Sequence, residues 1–195
     1  MMNRRDALLR VASLAGATLT LTGLGSSALA DALDASATQR LVTGKPVLFT
    51  ADQDALVADL AEVIIPTTGT PGAKAAKVNE IIDIVLKDCY KQPDQQRFID
   101  GLTQTQAISQ SSFGKSFNEL DGAQRIEVVK NLEADAKAKK AAGGPQPFFA
   151  MLKDLTLMGY FTSEIGATQA LEYVAVPGRY EGCVPLKPGQ KAWAL

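Results

Sequence analysis

An all-α bundle of about five to seven helices, closed by an irregular C-terminal tail, is the fold class this sequence predicts, and three observations predict it. Apolar residues recur at helical spacing in segment after segment, and no period-2 alternation is long enough for a sheet. Residues that start and stop helices stand at the ends of those segments. With 46% hydrophobic and 21% charged residues in 195, the composition is that of an ordinary globular chain rather than a disordered or multi-span membrane protein.

The N-terminus reads as an address. Arg4 and Arg5 precede a weakly apolar stretch, Val11 to Leu24, with no charge after Arg10, and the stretch ends at Ala28-Leu29-Ala30. This is the pattern of a twin-arginine export signal over residues 1–30, cleaved after the small residues Ala28 and Ala30, and it points to the periplasm. The alternative is a retained anchor. Against it, the threonines and glycines of this stretch make it less apolar than a stable spanning helix requires. Residues 31–48 are small and polar, with Gly44 and Pro46, and read as a linker or loosely packed arm.

A helical domain follows over residues 49–173. Thr50-Ala51-Asp52-Gln53 forms a capping box, and Leu56, Leu60, Val63 and Ile64 give the helix behind it an apolar stripe. Pro66 ends that helix, and the segment to Gly72 reads as a turn-rich loop. A second helix is predicted over roughly 78–90, with Val78, Ile81, Ile82, Val85 and Cys89 on one stripe. Pro93 suits a first helical position, so Asp94 to Leu102 reads as a short third helix with Phe98, Ile99 and Leu102 inward. Residues 103–113 continue as helix to a cap at Gly114. Asp121 and Gln124 open the next helix, with Ile126, Val129, Leu132 and Ala136 expected on its buried face and Lys137, Lys139 and Lys140 near its C-terminal dipole. After the break at Gly143-Gly144-Pro145, the apolar run through Phe148, Phe149, Met151, Leu152, Leu155 and Met158 is the expected central core helix. Residues 174–195 are rich in Pro and Gly and form the irregular tail. Tyr180 and Trp193 within it either pack on their own domain or anchor a partner.

The composition also narrows the chemistry. Histidine is absent, so no imidazole serves as base, haem ligand or zinc ligand. Two cysteines do not supply the four thiolates of a standard iron–sulfur cluster, and no Cys-x-x-Cys-His attaches a haem. Neither a Gly-x-Gly-x-x-Gly fingerprint, a Gly-x-x-x-x-Gly-Lys-Ser/Thr loop nor a Gly-x-Ser-x-Gly elbow is present. No catalytic, cofactor-binding or metal-binding residue is therefore assigned. Twenty basic against 21 acidic residues leave a net charge of −1, which does not suggest a nucleic-acid partner. Asp59 with Glu62, and Glu80 with Asp83, are carboxylate pairs at i, i+3, a spacing common on solvated helix faces; an enzyme acting alone on sugars would need its carboxylates across a cleft instead. Cys89 and Cys183 are an even pair in a chain bound for an oxidising compartment and are candidates for an intrachain disulfide. The alternatives are a buried thiol at Cys89 and a bond from Cys183 to a partner.

Phe49-Thr-Ala-Asp-Gln-Asp54 leading into Ile64-Ile-Pro66, then Thr70-Pro-Gly-Ala73, Phe98-Ile-Asp-Gly-Leu102 and Phe149-x-x-Leu-Lys-x-Leu-Thr156, form a recognisable series. It continues through Gly159-Tyr-Phe-Thr-Ser-Glu-x-Gly166 and Pro177-Gly-x-Tyr-x-Gly-Cys183. Over roughly residues 46–195 the chain resembles the small third subunit of membrane-bound gluconate 2-dehydrogenases. The resemblance implies a non-catalytic accessory subunit of a sugar or sugar-acid dehydrogenase. Its large partner would resemble the glucose-methanol-choline flavoproteins and carry FAD, and a membrane-bound cytochrome c subunit with haem c is a possible third member. In such complexes the large subunit often lacks a signal of its own and is exported bound to the small one, which fits Arg4 and Arg5. The competing expectation is a stand-alone exported binding module with no oxidoreductase beside it.

Overall fold

The structure, a computed structural model, describes residues 44–174, 176, 178, 183, 185 and 188–194. The export-signal residues Arg4, Arg5, Ala28 and Ala30, most of the expected linker, and Tyr180 lie outside the described residues. Five long helices carry the domain: α1 (Ala51–Ile64), α2 (Val78–Cys89), α3 (Gln92–Phe113), α4 (Gly122–Ala141) and α5 (Phe148–Thr162). A short 3-10 turn, Phe117–Glu119, precedes α4, and a π-helical turn, Gly166–Ala170, follows α5. Among the described residues there is no strand; extended pairing is confined to one parallel bridge between Glu172 and Trp193.

Local chemistry accounts for several helix ends. The Thr50 hydroxyl accepts from the Gln53 amide at 3.2 Å while the Thr50 amide donates to the Gln53 side chain at 2.9 Å, so two of the free donors at the start of α1 are satisfied. Asp121 and Gln124 make the same reciprocal pair at the start of α4. Pro93 lies in the first turn of α3, and Gly114 closes that helix at φ +67°, a conformation in which a side chain would be strained. The stretch read as two helical pieces, 94–102 and 103–113, is one uninterrupted helix of 22 residues.

Helix α5 is the hub, packed against each of the other four long helices. Phe148, Phe149, Met151, Leu152, Leu155 and Tyr160 are buried along it. Its first turn fits against α3 because residue 101 is glycine; a Cβ there would overlap the Phe148 ring. Phe148 meets Phe98 edge-on at 5.0 Å between centroids, and Phe98 stacks on Phe49 at 5.7 Å, so one aromatic column joins α5, α3 and the residue before the cap of α1.

Three inward assignments need correction, the first being Cys89, expected on the apolar stripe of α2 and exposed at its C-terminal end. Ile126 is 48% exposed, and α4 buries Val128 in its place, with Leu132 and Ala136 inward as expected. Residues 126 and 128 lie about 200° apart around a helix, so only one of them can face the core. Met158 is 41% exposed, because the buried side of α5 runs through Leu155, Thr156 and Gly159. One member of each carboxylate pair, Asp83 and Asp59, is buried rather than solvated, while Glu62 and Glu80 stay partly exposed. Asp83 is fully buried and accepts the backbone amides of Val47, Leu48 and Phe49 at 2.7, 3.0 and 3.0 Å. The described end of the expected loose arm is thereby pinned to α2. Asp59 is buried on α1 and bridges Lys74 at 2.7 Å and Arg125 at 3.6 Å.

Candidate functional site

Chemistry was sought first among the acidic side chains. Glu62 accepts the Thr67 amide at 2.8 Å, the Thr67 hydroxyl at 2.7 Å and the Lys74 amide at 2.8 Å, closing the loop between α1 and α2. Partial burial pushes its carboxyl upward, but these hydrogen bonds and the nearby Lys74 charge outweigh burial and hold it below the ordinary carboxylate range. Glu119 is lowered by hydrogen bonds from Ser116, and Glu133 by its contact with Lys153. Each of these groups, like Asp59 and Asp83, is engaged in holding loops or helices together. Glu133 and Asp154 do line one groove together, but Glu133 is tied to Lys137 and Lys153 and Asp154 accepts the Gln146 amide. Among the described residues there is also no group of three or more Cys, Asp or Glu placed to hold a metal ion.

Two concave surfaces lie on either side of the 143–147 loop, and a smaller one of about 190 Å³ lies between α1 and α3. Of the larger two, one, of about 460 Å³, runs between α4 and α5 over Ala136, Phe149 and Ala150 and is rimmed by Lys137, Lys140 and Lys153. The other, of about 450 Å³, lies between α3 and the loop. Both are open grooves with charged rims, and two of the rim lysines, Lys137 and Lys153, are paired with Glu133.

The surface that departs from ordinary expectation is apolar. Leu157, Met158 and Phe161 form an exposed stripe on the C-terminal half of α5, and Tyr173, Val174, Val176 and Trp193 are exposed just beyond it. Backbone geometry holds the tail end there. The Glu172 amide donates to the Ala192 carbonyl at 2.8 Å, and the Ala194 amide donates to the Glu172 carbonyl at 2.9 Å. The tail therefore leaves at Glu172 and returns to it, and Trp193 stands at the clasp with its side chain 53% exposed. Cys89 ends α2 and Cys183 lies within the tail; both are exposed free thiols in the structure. The exposure of Cys89 sets aside the buried-thiol alternative.

The model of the gluconate 2-dehydrogenase subunit 3 family matches residues 51–178. The chain belongs to that family. The matched span begins with α1 and takes in all five long helices, the π-helical turn and the outgoing limb of the tail. It stops before Cys183. No curated protein and no solved structure shows a significant match. As a subunit 3 family member, the chain is a component of a gluconate 2-dehydrogenase-type assembly and associates with other subunits of it. Sequence reasoning missed the exposed stripe on α5 because its C-terminal half, from Leu155 on, carries no charge on any side, so residue types alone do not say which side the neighbours leave uncovered.

Proposed function

We propose that this chain is the non-catalytic small subunit of a periplasmic FAD-dependent dehydrogenase acting on the CH–OH groups of a sugar or sugar acid. In this reading it is needed for the folding and twin-arginine export of the flavoprotein subunit. The observation that carries the proposal is the family match across the entire helical domain. Two features of the sequence support the division of labour. The absence of histidine and of any dinucleotide fingerprint leaves redox chemistry to a partner, and Arg4 with Arg5 supplies an export signal of the kind used by proteins that cross the membrane folded. FAD belongs to the large, glucose-methanol-choline-type subunit in this scheme, and haem c to a membrane-bound cytochrome subunit that takes the electrons onward.

The test is expression of the flavoprotein subunit with and without this chain, followed by a dye-linked dehydrogenase assay on cytoplasmic and periplasmic fractions. Periplasmic activity is expected only on co-expression, and the small chain purified alone should show neither flavin nor haem absorbance. Equal activity and equal export in both strains would overturn the accessory role and favour a stand-alone binding module.

A further inference from the structure

We infer that the large flavoprotein subunit docks on one apolar surface at the C-terminal end of α5, made of Leu157, Met158 and Phe161 together with Tyr173, Val176 and Trp193 at the two limbs of the clasped tail. This deepens the accessory-subunit reading and rests on it. Leu157, Met158 and Phe161 sit at i, i+1 and i+4, so they share one side of the helix. The π-helical turn then packs back on α5 so tightly that a Cβ at Gly166 would overlap the Tyr160 carbonyl oxygen. That turn delivers Glu172, with Trp193 bridged to it, close to the end of the same helix.

Three considerations identify the occupant as a protein surface of low charge. From Leu155 to Ser163 the chain carries no charged residue, and at the clasp Glu172 offsets Lys191, whose ammonium is already bound to the Gln169 carbonyl, so the surface offers no net positive charge to an anionic lipid headgroup or a nucleic-acid phosphate. At their fractional exposures the six residues present on the order of 700 Å², close to the roughly 800 Å² that each partner contributes to a standard-size stable interface. Large aromatic side chains with Met and aliphatic neighbours are also the composition of an interface core rather than of open surface. A second copy of the chain is the competing occupant, and the experiment separates it from the flavoprotein.

The full chain, tagged and co-expressed with the flavoprotein subunit, is purified as wild type, as Met158→Glu/Phe161→Glu, as Val176→Lys and as Ile126→Glu. The last changes an exposed apolar residue on α4, outside the stripe. Flavin absorbance and dehydrogenase activity eluting with the tagged chain are the readouts, with circular dichroism for folding and light scattering for oligomeric state. Wild type and Ile126→Glu should carry flavin at near one-to-one, and Met158→Glu/Phe161→Glu at least tenfold less with helical content unchanged. Val176, at 80% exposure, makes too few contacts within its own chain for its replacement to unfold the domain, so reduced flavin in Val176→Lys supports the surface even if the double variant misfolds. Flavin retained by Val176→Lys and by a folded double variant overturns the docking surface but leaves the accessory role standing. A wild-type chain that elutes without flavin overturns the accessory role itself. A wild-type chain that dimerises through this face, with the double variant monomeric, assigns the surface to a second copy and overturns the inference.

Discussion

The position of Gly101 sets two effects against each other. Alanine in a helix interior is favoured over glycine by about 1 kcal/mol, so propensity alone predicts that Gly101→Ala stabilises α3. The new Cβ, however, would overlap the buried Phe148 ring, and overpacking of this kind costs about 1–3 kcal/mol. Packing should win. Gly101→Ala is expected to lower stability by about 1–2 kcal/mol in urea unfolding, and Gly101→Ala/Phe148→Leu to recover part of the loss; a stabilised single variant would show that α5 shifts freely. Thr156 presents the opposite case. Its hydroxyl is fully buried on α5 and has no hydrogen-bond partner among the described residues. A buried unsatisfied hydroxyl costs about 1–3 kcal/mol, so Thr156→Val, which keeps the shape, should gain about 1 kcal/mol. A loss on thermal unfolding would refute this.

At the scale of elements, the fold rests on a few carboxylates that tie loops to helices. Glu62 is the clearest, and its pH dependence has a definite sign. Its carboxyl is held below 4.5, the ordinary value, so its contribution to stability is present above that pH and is lost as pH falls through the lower folded value. Glu62→Gln should therefore be less stable than wild type at neutral pH and lose less further stability in acid. Parallel denaturation curves for the two proteins from pH 7 downward would contradict the assignment. Such ties explain what was legible beforehand. The capping boxes at Thr50 and Asp121 and the cap at Gly114 were readable because all their partners lie within a few residues. Asp83 was not, because the amides it accepts are 34 to 36 positions away and nothing local marks a buried carboxylate. Phe117, fully buried beneath the Arg125 guanidinium at 5.7 Å, was hidden for a similar reason, since its short 3-10 turn has no periodicity to reveal it. The fold class was legible because it needs only periods and stops. The exposed side of α5 was not, because it depends on where four other helices end.

For the whole molecule, the division between a self-sufficient helical core and an appended tail gives two predictions. Every buried hydrophobic side chain among the described residues lies between Phe49 and Tyr160. Deleting residues 174–195 removes the clasp and its two backbone hydrogen bonds but no member of that core, so the truncated domain should keep its helical circular dichroism and lose only a few degrees in Tm. Unfolding of the truncated chain would place the tail in the core. A core complete without the tail also suits export in the folded state, since the domain can assemble in a reducing cytoplasm without any disulfide, and Cys89 and Cys183 are both free thiols here. If the flavoprotein crosses the membrane bound to this chain, its destination is set by two side chains of the small chain alone. Replacing Arg4 and Arg5 together by Lys preserves charge but removes the paired guanidinium groups of the proposed signal. The expected result is that both the small chain and the dehydrogenase activity stay in the cytoplasmic fraction, with the complex assembled and active there. Normal periplasmic activity from the double variant would sink the export role, and cytoplasmic small chain with periplasmic flavoprotein would show that the large subunit finds its own way out.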